Sequence, residues 1–161
     1  MADYLEDDVL RIGRETLEEL LAKMKVSAQV AARWGEPEEA DAPRPLILDV
    51  LGDDLSVLIG HKGETLDALQ YITRLIASKQ VGQGVNAMVD VAGYKQRREE
   101  QLRRLAQRMA EQVMERGRTM TLEPMSAAER RIVHLALRDH ASVRTESVGE
   151  GDRRKVTIVP K

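Results

Sequence analysis

Four residues, Gly60-His61-Lys62-Gly63, sit between two stretches of apolar side chains at helical spacing. Val57, Leu58 and Ile59 precede them, and Leu66, Leu69, Ile72, Leu75 and Ile76 follow. Two glycines at this point argue against one continuous helix, because each costs about 1 kcal/mol relative to alanine in a helix interior and readily takes left-handed backbone angles. A short helix, a bend and a longer helix therefore follow one another, and the flanking segments decide what they pack on. Leu46–Leu51 (LILDVL) reads as a strand before the bend, and Val85–Val91 (VNAMVDV) alternates as a strand after it. Asp53 or Asp54 is placed to cap the short helix. Upstream, residues 4–24 carry Leu5, Val9, Ile12, Leu17, Leu20, Leu21 and Met24 at three- and four-residue steps, which predicts an amphipathic helix. The partial alternation of Lys25–Trp34 predicts a strand, and the acidic, proline-containing Gly35–Pro45 a loop. The first half reads α-β-β-α-α-β.

The second half opens with a long helix predicted over Tyr94–Arg116, striped by Leu102, Leu105, Ala106, Met109, Val113 and Met114 and ended by Gly117. Thr119–Leu122 is a short strand candidate. Ser126 and Glu129 have capping-box spacing, which predicts a helix from there to about Asp139. Ser142–Val148 and Arg153–Val159 read as two closing strands around a turn at Gly149–Asp152. The order is α-β-α-β-β. The fold class is α+β, with one unit over residues 1–92 and a second over 93–161 that includes the long helix.

Composition narrows what such a chain does. It has 161 residues and no cysteine, which excludes disulfides, thiolate metal sites and a cysteine nucleophile and fits a reducing compartment. No apolar run is long enough for a membrane span, and the acidic MADYLEDD start is unlike a signal peptide, so a cytoplasmic protein without stable membrane insertion is expected. Charge is uneven: residues 1–59 hold 6 basic and 14 acidic side chains, whereas residues 60–161 hold 19 and 13. A basic portion attracts polyanions even when the whole is slightly acidic, although two differently charged solvated surfaces would read the same way. Trp34, Tyr4, Tyr71 and Tyr94 are the only aromatics, too few for a base-stacking platform. His61, His134 and His140 make no convincing metal set, and no nucleophile–base order, Walker loop or carboxylate pair stands out. Neither catalysis nor a cofactor or metal is expected.

The glycine-bracketed bend is the sharpest chemical feature. Glycine lets a backbone approach a phosphate without a Cβ in the way, and the following helix aims free N–H groups and its positive end at the same place. Lys62 adds a cation and His61 a donor whose charge follows pH. Ile59 and Leu66, with Val57 and Leu58, would supply an aliphatic groove beside it. The competing structural reading is a tight helix–helix turn with exposed charges, since the GxxG spacing is short and common. Arg130 and His134, four residues apart, project from one helix face toward adjacent phosphates or a ribose, with Arg131 about 100° away around the helix. Against this stands pairing of Arg130 with a nearby glutamate and packing of His134 at a seam. Lys95, Arg97 and Arg98 open the long helix with few acidic neighbours. Further along, Glu99–Arg103 and Glu100–Arg104 are ordinary i,i+4 pairs.

The α-β-β-α-α-β order with Ile59-Gly60-His61-Lys62-Gly63 resembles a type II KH domain, whose loop clamps the backbone of about four nucleotides. GETLDALQYIT at 63–73, VAGYKQRREEQL at 91–102 and LEPMSAAERRIVHLAL at 122–137 together resemble the bacterial Jag family of SpoIIIJ-associated, KhpB-like proteins, which join a KH domain to an R-three-H domain. The resemblance runs from about residue 4 onward. It implies single-stranded RNA, or single-stranded DNA, as partner, bound by Ile59, Gly60, His61, Lys62, Gly63, Leu66, Lys95, Arg97, Arg98, Arg130, Arg131 and His134. It also implies a post-transcriptional or RNA-chaperone role linked to cell division or envelope growth. A second small KH protein or a second copy is an implied partner. The alternative is an adaptor that uses the KH surface for dimerisation or for docking at membrane-insertion machinery. Jag proteins often carry a further N-terminal domain, and its functions are not transferred here. Their middle loop positions are usually both basic, whereas one of them here is His61.

Overall fold

A computed structural model describes residues 6–161, which form two compact units that divide between Lys95 and Gln96. The first unit opens with α1 (Glu6–Lys23), so the expected helical residues Tyr4 and Leu5 lie outside the described residues. Acidic Glu6, Asp7 and Asp8 occupy its first turn and Lys23 its last, complementing the helix dipole. Its buried stripe is Val9, Ile12, Thr16, Leu17 and Leu21.

Strands β1 (Gln29–Trp34) and β2 (Leu46–Leu51) pair antiparallel across the Gly35–Pro45 loop. The predicted strand from Lys25 shortens because Lys25 takes a positive φ of 58° and the chain turns off α1 there. Helix α2 (Ser56–Ile59), a single 3₁₀ turn over His61–Gly63, and α3 (Glu64–Val81) then carry the chain to β3 (Ala87–Val91). A parallel neighbour demands a crossover, and α2–α3 supply it: β3 lies parallel to β2, giving the order β1-β2-β3. Alternation on β2 and β3 buries Leu46, Leu48, Val50, Ala87, Val89 and Val91 against the helices.

Helix α4 (Tyr94–Arg116), whose first two residues close the first unit and whose remainder belongs to the second, occupies the residues predicted for it. It buries Ala106, Ala110 and Val113 in a core with Leu122, Val133, Leu137, Val143, Val156 and Ile158. The strands are β4 (Met120–Thr121), β5 (Val143–Val148) and β6 (Lys155–Pro160), all antiparallel in the order β4-β6-β5. Helix α5 (Ala127–Leu137) begins at the predicted capping box: the Glu129 amide donates to Ser126 Oγ at 3.3 Å, and the Ser126 amide donates to Glu129 Oε2 at 3.2 Å. Strand β6 starts later than predicted because Gly151–Arg153 closes the β5–β6 turn as 3₁₀ backbone. No helix among the described residues is long and apolar enough to cross a membrane.

Candidate nucleic-acid interface

The bend between α2 and α3 is built by backbone conformation. Gly60 (φ 70°), Lys62 (φ 51°) and Gly63 (φ 82°) all take positive φ, a region that disfavours side chains with a Cβ. A Cβ on Gly60 would lie 2.2 Å from Thr65 Oγ1, and one on Gly63 would lie 2.9 Å from Tyr94 Cε1. Both glycines are therefore required by contact as well as by angle. Gly63 is the N-cap of α3 and offers no side-chain cap, so the first turn of that helix meets the loop with amides that no capping side chain covers. His61 is exposed and Lys62 half-buried. Glu64 and Asp67, both exposed, stand in the next turn, so the bend is not a concentration of positive charge.

The expected aliphatic groove needs correction. Leu58 and Leu66 are 0% and 1% exposed and belong to the core of the first unit. Short amphipathic α2 has one side chain to anchor it, and Leu58 is that anchor. Leu66 does the same for the first turn of α3, so neither offers surface to a base. What remains beside the bend is Val57, 59% exposed, with half-buried Ile59.

The cations at the start of α4 have different settings. The Lys95 ammonium donates to Gln70 Oε1, which also accepts the Val89 amide at 3.0 Å. Burial holds the Lys95 ammonium below its ordinary pKa, opposed by the nearby carboxylates of Asp67 and Asp90. Arg98 Nε donates to Glu129 Oε1 at 2.7 Å, with the two side chains 23% and 12% exposed. Arg98 thus fixes the first turn of α5. Arg97 is exposed. Of the two i,i+4 pairs expected farther along, Arg103 holds Glu99 at 2.6 Å, while Glu100 accepts from Gln96 Nε2 at 3.5 Å.

The α5 motif faces a cleft. Arg130 Nη1 donates to the Met125 carbonyl at 2.8 Å rather than to a glutamate. His134 is held at both ring nitrogens by the inner face of β5, with Nδ1 2.6 Å from Thr145 Oγ1 and Nε2 2.8 Å from Ser147 Oγ. Around that ring opens a cleft of about 680 Å³ lined by six cationic side chains and no Asp or Glu side chain among the described residues. Arg130 and Arg131 come from α5 and Arg138 is its C-cap, Arg144 comes from β5, Arg154 from the turn before β6, and Lys161 from the chain beyond it. Burial, then the charges of Arg130 and Arg154, hold the His134 imidazole below its ordinary pKa and keep it neutral.

Arg138, Arg144, Arg154 and Lys161 are not among the residues expected from sequence to bind. Arg138 had a legible signal, standing four residues beyond His134 and eight beyond Arg130. The others reach the cleft only through the β5–β6 pairing, in which Arg144 lies opposite Val159 and Val148 opposite Lys155.

The fold and these two surfaces define a protein of KH-plus-R-three-H class. Residues 14–91 match the model of the KhpA/KhpB KH domain, and residues 100–160 match that of the R-three-H domain. The RNA-binding protein KhpB of Clostridium symbiosum is 35% identical over 144 residues, covering 89% of this chain and 63% of that protein. The RNA-binding protein KhpB of Bacillus subtilis (strain 168) is 32% identical over 140 residues, covering 86% of this chain and 67% of that protein. The chain belongs to the KhpB, or Jag, family, and it spans about two thirds of the length of these relatives.

Proposed function

We propose that this protein binds single-stranded RNA without catalysing a reaction on it. The Gly60–Gly63 bend would hold the sugar–phosphate backbone, and α5 would offer a second contact. The supporting observation is the bend itself: three positive-φ residues in four, with Gly60 and His61 exposed and Gly63 buried beside Tyr94 to shape the turn, leading into a helix whose first turn no side chain caps. This is backbone shaped for close approach by an anion. The name RNA-binding protein carried by the relatives favours RNA over DNA. The family resemblance supports the further reading of a post-transcriptional role linked to cell division or envelope growth.

Replacing His61 and Lys62 together with Asp leaves both glycines in place and tests the bend. RNA crosslinking in cells should fall sharply in that folded variant, and undiminished crosslinking would remove the loop from the path. Competition between matched RNA and DNA oligonucleotides decides the nucleic acid.

A second reading rests on α3. Tyr71, Ile72 and Leu75 are 63%, 44% and 53% exposed and lie at three- and four-residue spacing on one helix face. This unpartnered apolar stripe favours pairing with a second copy or with another small KH protein. Ile72→Asp should shift the sedimentation of any such complex to that of the single chain while leaving the bend intact.

A further inference from the structure

We infer that the second unit grips successive phosphates of a single RNA strand with Arg131, Arg138, Arg144, Arg154 and Lys161, and that His134 is a strut holding this cleft in shape rather than a ligand of the strand. The inference rests on the RNA-binding reading above and assigns contacts outside the Arg130–His134 pair.

Both ring nitrogens of His134 are already engaged. A neutral imidazole has one N–H to donate to one hydroxyl and one bare nitrogen to accept from the other, so Thr145 and Ser147 complete its hydrogen bonding. Reaching a phosphate would cost one of those bonds, while contributing no charge from a neutral ring. Arg130 is turned toward the Met125 carbonyl. By contrast, among the described residues Arg131 and Arg138 make no side-chain hydrogen bond or ion pair, and both are exposed. Arg138, the helical C-cap of α5, stands seven positions after Arg131, about 10 Å along the helix axis. Across the cleft, Arg144 is held by exposed Glu146, Arg154 by the Gly149 carbonyl at 2.9 Å and Lys161 by the His140 carbonyl at 2.5 Å. Each of these is a single bond at one end of a many-donor cation, and it leaves other N–H groups to donate. With no Asp or Glu side chain in the lining, a strand entering the cleft meets cationic side chains on both walls.

The test uses the full chain and a short fluorescein-labelled oligouridylate, with anisotropy titrations over a range of salt. Replacing Arg138, Arg144 and Lys161 together by Gln should weaken binding by at least about tenfold and lower the slope of log K against log salt by about 2, at roughly 0.7 per phosphate contact. An unchanged slope would overturn the cleft assignment. If the His61/Lys62 double Asp variant nonetheless loses affinity, RNA binding itself stands; if the wild-type chain does not bind the probe, both readings fall together.

For the strut, Thr145→Val with Ser147→Ala should weaken binding several-fold with the salt slope unchanged, and Thr145→Ser should restore it. Nitrogen-15 spectra of the wild-type imidazole give a readout that needs no variant. The ring should keep both hydroxyl partners, with its tautomer unchanged, when the oligouridylate saturates the protein. A change in which ring nitrogen carries the proton would show that one of the two hydrogen bonds is given up to the strand and would overturn the strut.

Discussion

The bend of the first unit and the cleft of the second offer an anion opposite things. The bend presents main chain: three positive-φ residues and an uncapped helix turn, with Lys62 and His61 offset by Glu64 and Asp67. The cleft presents side chains: six cations from α5 and its C-cap, from β5, and from the residues just before and just after β6, assembled about one neutral imidazole. Backbone amides act at short range through shape and direction, whereas mobile guanidinium groups act through charge and are screened by salt. On the proposed reading, the bend would select for a backbone that can be closely approached, and the cleft would supply most of the affinity that rises as salt falls.

The cleft is the easier side to break. Arg98→Ala leaves the Glu129 carboxylate in place, 12% exposed and without its guanidinium. Removing one member of such a buried pair costs about 3 kcal/mol. Urea unfolding followed by amide exchange in α5 and β5 should show that loss, and an unaltered midpoint would mean that α5 does not depend on the Arg98 bond. The bend is next. Gly60→Ala puts a methyl group 2.2 Å from Thr65 Oγ1 at φ 70°, a strain of about 2 kcal/mol. Gly84→Ala meets open space at ordinary φ and should be neutral or stabilising by about 0.5 kcal/mol. The contrast between these two glycines, measured by thermal unfolding, separates a required bend from a permissive one. A smaller effect sharpens the charge side of the comparison. Lys62→Gln removes one cation from the bend, so the salt slope should fall by only about 0.7. A fall as large as that from the cleft triple variant would contradict the division between the two surfaces.

The sequence-based reading succeeded at several features of local chemistry, though not at the start of α2, where the N-cap is Leu55 with no side-chain cap bond rather than Asp53 or Asp54. The Ser126–Glu129 capping box, the long helix and the glycine bend all depend on residues within a few positions of one another, and each occurs as predicted. It failed where the answer depends on which side of an element faces the core. Leu66 and Leu58 were expected on the surface of a groove, because helical periodicity identifies an apolar face without saying what covers it. The cleft was legible only at its α5 wall. Arg144, Thr145 and Ser147 enter it through β5, and Arg154 and Lys161 through chain on either side of β6, so their convergence follows from hairpin register. Thr145 and Ser147 are unremarkable in a strand. Their placement on one face, two residues apart, makes them a pair that can span an imidazole.

The smallest effect tests the cleft through its neutral centre. Burial and the neighbouring Arg130 and Arg154 lower the His134 pKa in the folded chain, while the unfolded chain has the ordinary value of about 6.5. Below that value, the unfolded state takes up a proton that the folded state resists. Unfolding is then coupled to proton binding, and stability falls as pH drops through the window between the unfolded and folded values. Above about 6.5 both states are neutral at this ring, and the contribution is constant. Thermal unfolding from about pH 8 down to about pH 5 should therefore show a decline that is shallower in His134→Gln, which cannot titrate. Carboxylates elsewhere titrate in both proteins, so the difference between the two curves isolates the imidazole. Identical pH dependence in both would mean that the ring charges as readily in the fold as outside it, and the neutral centre of the cleft would be lost with that result.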